Sequence, residues 1–122
     1  MAISTTVLDG RFSTKIIKST DVDENPTVDI TGGTGKVHYI QVTSGGLNAT
    51  SYFKVFDSAD IDLSSSQAPI LILSIPLNVT KEVIISSGMP YNTALSFAMV
   101  TGSGDSGNTG PSATCSCLIV AT

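Results

Sequence analysis

The chain has 122 residues and a formal net charge of -4, and its 13% of charged residues is about half the usual share for a soluble domain. This length predicts one domain, residues 1–122, whose core is large enough to fold without disulfides or metals. The six basic residues form no run, which argues against nucleic-acid binding because phosphate contacts supply most of that affinity.

Short segments that alternate apolar and polar residues, separated by Gly, Pro or Asn, predict an antiparallel all-β domain. The pattern indicates a single two-sheet sandwich of eight or nine strands, either jelly-roll or immunoglobulin-like, and sequence does not separate these two topologies. In chain order, the candidate strands are Ile3 to Leu8, Phe12 to Ile17, Thr27 to Ile30, Lys36 to Thr43, Tyr52 to Asp57, Ile70 to Ser74, Lys81 to Ile85, Asn92 to Thr101 and Thr114 to Ala121.

The two ends of the chain carry separate expectations. Residues 1–10 could pair within the domain or extend as an arm onto a neighbouring subunit. They lack the basic region and apolar stretch of a secretory signal, and the longest apolar run, Ile70 to Leu73, is far short of the ~20 residues of a membrane helix. We therefore expect a protein made in a cytosol, without a membrane partner. We also expect Cys115 and Cys117 to be reduced and packed in the domain.

Apparent catalytic motifs fail on inspection. The segment Gly104-Asp105-Ser106-Gly107 resembles a chymotrypsin-like nucleophile motif, and His38, Asp57 and Ser106 follow the order of that triad. That fold needs about twice this length, and a flexible Gly/Ser loop explains the segment equally well. The Gly-rich segment 102–107 also fits a dinucleotide fingerprint, but Pro111 follows too soon for the helix that the motif requires. We predict no catalytic and no cofactor-binding residues.

Acidic residues recur in two segments, 21–25 and 57–62, which suggests a calcium loop. Pro26 stands where an EF-hand requires Gly, so a solvated acidic loop is the default interpretation. The alternative is an irregular calcium site built from residues 21–25, or from Asp57, Asp60 and Asp62. His38 is the only histidine, so a zinc site would also need the two cysteines. Cys115 and Cys117 lack the two-residue gap that is usual between zinc-binding cysteines. We predict no metal site.

Several short motifs lie between Val37 and the carboxy terminus. They are Tyr39-Ile-Gln-Val-Thr43, Tyr52-Phe-Lys-Val-Phe-Asp57, Pro69 to Pro76, Gly88-Met-Pro-Tyr91, Thr93-Ala-Leu-Ser-Phe-Ala98 and the Gly-rich tail of that strand into Asp105. Together they resemble a small domain of virion proteins of tailed bacteriophages, in which a Lys-bearing strand ending in Asp precedes a Pro-flanked aliphatic run and a Gly-to-Ala-Leu-Ser strand. The Ser-rich segment 58–67 and the Cys-bearing last strand depart from the pattern.

The resemblance implies a non-enzymatic virion structural protein, most simply a capsid decoration or cement protein on the outer capsid surface, made in the host cytoplasm. Its implied partners are the major capsid protein and further copies of itself, as a dimer or trimer. Low charge density agrees with a multi-copy assembly. The alternatives are a tail, neck or fibre component, or a carbohydrate-binding β-sandwich module in which Tyr39, Tyr52 and Tyr91 supply a sugar-stacking platform.

Overall fold

The computed structural model describes residues 3–9, 14–65, 67–105 and 107–122, with side chains from residue 15 onward. These residues contain strands and no helix. The strands are β1 (Ile3–Asp9), β2 (Thr14–Val22), β3 (Gly35–Thr43), β4 (Ser51–Asp57), β5 (Leu71–Ile75), β6 (Thr80–Tyr91), β7 (Leu95–Val100) and β8 (Cys115–Ala121).

The strands form two antiparallel sheets that pack face to face. A five-stranded sheet has the order β1-β2-β8-β3-β6, and a three-stranded sheet has the order β5-β4-β7. β1 pairs with β2 of the same chain, with Ile3 opposite Ser19 and Asp9 opposite Thr14. The prediction of an all-β, sandwich-like domain is confirmed.

The core fills the space between the two sheets. The five-stranded sheet contributes Ile17, Ile40 and Ile119, and the three-stranded sheet contributes Phe53 and Phe97, all within 1% of complete burial. The two phenyl rings lie with centroids 5.3 Å apart and planes tilted by 32°. Alternation places these side chains inward, since successive residues of a strand point to opposite faces.

The predicted strand Thr27 to Ile30 is wrong. Only Thr27 makes a bridge, exchanging two backbone hydrogen bonds of 2.9 Å with Phe97 of β7. Asp29 has a φ of 50°, a left-handed conformation that interrupts an extended segment. β7 lies at the edge of its sheet, and the Thr27 segment covers that edge.

The predicted end of the strand Lys81 to Ile85 is wrong too, because β6 continues past Ser87 and Gly88 to Tyr91. Val37 pairs with Met89 and Tyr39 with Ile84, so a single residue of β3 lies opposite the four residues 85–88 of β6. Gly88 permits this irregularity, since it has a φ of 82°, a left-handed conformation that glycine adopts without strain. The predicted strand start at Phe12 lies outside the described residues.

Candidate interaction surface

The outer face of the five-stranded sheet carries a row of large side chains that crosses the strands β2, β8, β3 and β6. Ile16 lies opposite Val120, Val120 opposite Tyr39, and Tyr39 opposite Ile84. We call these four residues the apolar row. Three of them are partly buried by their neighbours, whereas Ile84 is 75% exposed, more than any other large apolar side chain of the described residues. Such a row is unusual on a solvated sheet face, which makes this face the candidate contact surface.

Two polar side chains next to the apolar row, Gln41 and Glu82, interact with the hydroxyl group of Tyr39. Gln41 Nε2 donates a 3.2 Å hydrogen bond to the Tyr39 hydroxyl oxygen. Burial raises the pKa of Tyr39, and a hydrogen bond to the Glu82 carboxylate and the charge of that carboxylate raise it further. The phenol therefore stays protonated at neutral pH and donates to the Glu82 carboxylate.

The apolar row ends at β6, an edge strand of the sheet. The backbone N–H of Ser44 donates to the carbonyl oxygen of Val79 at 2.9 Å, so this pair is a hydrogen-bonded pair of the β3–β6 ladder. Such pairs alternate in an antiparallel ladder, so Lys81 and Val83 also bond to β3. The backbone groups of the even-numbered residues, Thr80, Glu82 and Ile84, therefore point away from the sheet along an unpaired edge.

The outer face of the three-stranded sheet is closed by the loops that follow β4 and β7. They pack a second apolar cluster against it, formed by Phe56, Ile61, Leu63, Ala98 and Val100. The Gly107 N–H donates to the Leu63 carbonyl oxygen at 2.8 Å, which joins the two loops, and the ammonium group of Lys54 donates to the Gly104 carbonyl oxygen. One face of the sandwich is therefore sealed and the other is open.

The structure separates the residues of the apparent triad. His38 lies at a bulge of β3 in the five-stranded sheet, whereas Asp57 ends β4 in the three-stranded sheet. Both carboxylate oxygens of Asp57 accept backbone N–H groups, from Asn92 and Thr93 at 2.8 Å each. The third residue of the pattern, Ser106, lies outside the described residues. Asp57 thus stabilises the turn before β7.

The acidic segments line a cleft of about 550 Å³ through Glu24, Asp60 and Asp62. Asp62 accepts hydrogen bonds from the hydroxyl and the backbone N–H of Ser64, which lower its pKa. Asp57 faces the turn before β7 instead. Within the described ranges, no group of three or more His, Cys, Asp or Glu side chains is placed to hold a metal ion, so the calcium alternative gains no support.

The three tyrosines do not form one platform. Tyr91 is completely buried and donates a 2.7 Å hydrogen bond to the carbonyl oxygen of Thr122. Tyr39 belongs to the five-stranded sheet and Tyr52 to the three-stranded sheet. The three tyrosines therefore do not form the sugar-stacking platform of the carbohydrate-binding alternative.

The two cysteines face the core from β8. Cys115 and Cys117 are both buried and unbonded to each other. Burial raises the pKa of both thiols, and raises that of Cys117 to about 12. Thiols with such pKa values are poor nucleophiles and poor metal ligands at neutral pH.

Comparisons with known protein families, with curated proteins and with solved structures gave no significant match. In the described part of the chain, no helix has the length and apolar character needed to span a membrane.

Sequence reasoning did not identify Ile84 as a surface residue. The available signal was the run Val83-Ile84-Ile85, since three consecutive apolar residues in a strand place at least one of them on the outer face.

Proposed function

We propose that this chain is a virion structural protein of a tailed bacteriophage, and that it acts as a capsid decoration (cement) protein. The observation that carries the proposal is that loops cover the outer face of one sheet and leave the outer face of the other sheet exposed. The three-stranded sheet is sealed by loops, whereas the five-stranded sheet presents the apolar row. A decoration protein needs a contact surface of this kind and no reacting group.

The strand order supports a jelly-roll topology, which we propose over the immunoglobulin-like alternative. In a jelly roll, the first strand pairs with the last, and the third lies between the last and the sixth. If β2 is the first strand and the Thr27 segment is a shortened second strand, the order β2-β8-β3-β6 fits one sheet. The bridge from Thr27 to Phe97 of β7 fits the other. β1 is then an addition to the fold. Jelly rolls are frequent in viral capsids, and this support is an analogy at the level of the fold.

The proposed partners are the major capsid protein and further copies of this chain. Many equivalent weak contacts over a symmetric shell sum to firm attachment, so a modest surface on each copy suffices. Only 13% of the residues are charged, and a low density of surface charge favours association between proteins.

Copy number in purified virions tests the proposal. Quantitative mass spectrometry is expected to find this chain at a level comparable with that of the major capsid protein. A few copies per particle would instead indicate a tail, neck or fibre component. Absence from purified particles would overturn the virion assignment altogether.

Binding to capsids stripped of this chain tests the surface. Val120→Glu places a charge in the middle of the apolar row and is expected to reduce binding at least tenfold. Ile70→Glu is the matched control, because Ile70 is 37% exposed beside the other sheet. Circular dichroism melting curves establish that both variants are folded. Equal loss of binding in the two variants would contradict the assignment of the contact face.

A further inference from the structure

We propose that two copies of the free chain pair through the open faces of their five-stranded sheets, about a two-fold axis that runs parallel to the strands between β8 and β3. Each copy then covers the apolar row of the other. The inference specifies the self-association in the proposed function and rests on that function for its biological setting. Its physical basis is the pattern of charge and polarity across the whole face.

Two further rows of outward side chains lie next to the apolar row on this face. The first, which we call the charged row, runs from β2 to β6 and consists of Lys18, Leu118, Gln41 and Glu82. The second, the hydroxyl row, runs from β8 to β6 and consists of Ser116, Thr43 and Thr80. Polarity therefore changes along the strands, whereas charge changes across them.

The two charges of the charged row lie too far apart to pair with each other within one chain. Lys18 of β2 and Glu82 of β6 are both exposed, and the strands β8 and β3 separate them. Three strand spacings of about 4.8 Å place their Cα atoms roughly 14 Å apart. The charged row is therefore complementary to a second copy of itself that runs in the opposite direction.

A two-fold axis parallel to the strands matches all three rows. It places Lys18 over Glu82 of the second copy and Glu82 over Lys18, so that two equivalent ion pairs form. Packed sheets lie about 10 Å apart, a gap that a lysine and a glutamate side chain bridge together. The same axis sets apolar row on apolar row, with Ile84 over Ile16 of the second copy. An axis along the charged row would instead set Lys18 over Lys18 and the apolar row over the hydroxyl row.

The shape of the face agrees with this packing. The ladder between β2 and β8 is irregular opposite Ser116. Beside this irregularity lies a depression of about 170 Å³, lined by residues that include Lys18, Leu118 and Gln41. The pairing places Gln41 and Glu82 of the second copy over the depression, which has room for one of these side chains.

The dimer is expected to be weak. The paired area spans four strands and about five residues of each, or roughly 19 Å by 17 Å. Two such faces bury less than the roughly 1,200–2,000 Å² of a stable interface. Free chain is therefore monomeric when dilute and dimeric when concentrated. Because the same face is the proposed contact with the shell, the shell and the second copy compete for it.

Charge reversal tests the axis. Lys18→Glu sets carboxylates against carboxylates at both ion pairs, and Glu82→Lys sets ammonium groups against ammonium groups. Each variant alone is expected to raise the dissociation constant of the dimer about tenfold or more. An equimolar mixture of the two variants should dimerise again, since one presents two carboxylates and the other two ammonium groups. The double variant Lys18→Glu/Glu82→Lys should dimerise as the unmodified chain does.

Sedimentation velocity at low salt measures the weight-average mass of each sample against concentration. Asp60→Lys is the control, because it reverses an exposed charge on a loop of the sealed face and should leave the dimer intact. Circular dichroism melting curves establish that the variants are folded. Failure of the mixed variants to dimerise, or a chain that binds stripped capsids but stays monomeric at the highest soluble concentration, would overturn the pairing. Either result would leave the virion copy number, and hence the proposed function, unaffected.

Discussion

Lys54, at the centre of the three-stranded sheet, donates a hydrogen bond from its ammonium group to the backbone carbonyl oxygen of Gly104. The side chain is completely buried between Ile72 and Ala98 of the neighbouring strands. This contact ties the loop after β7 to the face that it covers. Because this amine is buried in the native chain and solvated in the unfolded chain, the stability that Lys54 contributes depends on pH.

Replacement of Lys54 is expected to reveal that sensitivity. Burial lowers the pKa of Lys54 below its ordinary value of 10.5, and the charge of Asp105 opposes this shift. Between the lowered pKa and 10.5, the unfolded chain therefore binds more protons than the native chain, so the free energy of unfolding contributed by Lys54 increases as pH rises through this window. We expect the stability of the unmodified chain relative to Lys54→Met to increase as pH rises from the lowered pKa toward 10.5. Urea unfolding measures the difference, with exposed Lys18→Met as control. A constant difference across this range would contradict the prediction.

Asp57 should contribute stability that is lost in acid. The backbone N–H of Asn92, and then those of Thr93 and Ala94, hold the pKa of Asp57 below its ordinary value of 3.8 against the opposing effect of burial. This contribution is fully present above 3.8 and disappears as pH falls through the lowered pKa. At neutral pH, Asp57→Asn is expected to cost about 1–3 kcal/mol of unfolding free energy, the usual value of hydrogen bonds to a charged group.

The matched control for Asp57 is Asp60→Asn, which removes an exposed carboxylate from the following loop. It should change stability by less than about 0.5 kcal/mol. The difference between Asp57→Asn and the unmodified chain should shrink in denaturant titrations below about pH 4, as the native carboxylate becomes protonated. Persistence of the full difference at the acidic end would refute the assigned role.

Gly35 is expected to tolerate no side chain. A Cβ at this position would meet the Thr122 carbonyl oxygen and lie 2.7 Å from the Tyr91 hydroxyl oxygen, in a region fixed by the hydrogen bond between those two residues. Gly35→Ala should therefore destabilise the chain by about 1–3 kcal/mol, the usual cost of overpacking. Gly46→Ala is the control, since nothing lies within 4 Å of its Cβ. Thermal melts of the two variants with similar midpoints would show that the contact relaxes freely.

The two cysteine thiols should report opening of the core. Since burial raises the pKa of both, and that of Cys117 to about 12, native chain is expected to react very slowly with Ellman's reagent near pH 8. Both thiols should react rapidly in urea. The native labelling rate then measures how often β8 separates from its neighbours. Rapid labelling of either thiol under native conditions would place it at the surface instead.

The pattern of apolar residues was sufficient to predict an all-β sandwich because alternation is local. It failed where backbone conformation depends on distant contacts. The alternation of residues 27–30 predicts a short strand, but Asp29 has a left-handed φ and its N–H donates to the Ser96 hydroxyl of β7 at 2.9 Å. The Ser87-Gly88 pair looks like a chain reversal, but the ladder with β3 continues beyond it.

The surface was less predictable than the fold. A lysine in a strand normally indicates a solvated face, yet Lys54 is buried, because loops from elsewhere in the sequence cover it. Val83-Ile84-Ile85 indicates an outward apolar residue, but only the strand order shows that this residue lies at an edge. Both properties are set by tertiary contacts, which local periodicity does not contain.

The sealed face also gives the molecule a polarity. In any assembly held by the open sheet, the Ser- and Gly-rich loops that close the other sheet point away from the bound surface. Their lengths can change without altering the attachment, provided that the Lys54 contact and the small apolar cluster beneath them are kept. In such an assembly, the exposed residues 59 and 60 are therefore a suitable place to insert a foreign peptide, whereas Gly107 has to be kept because its N–H joins the two loops.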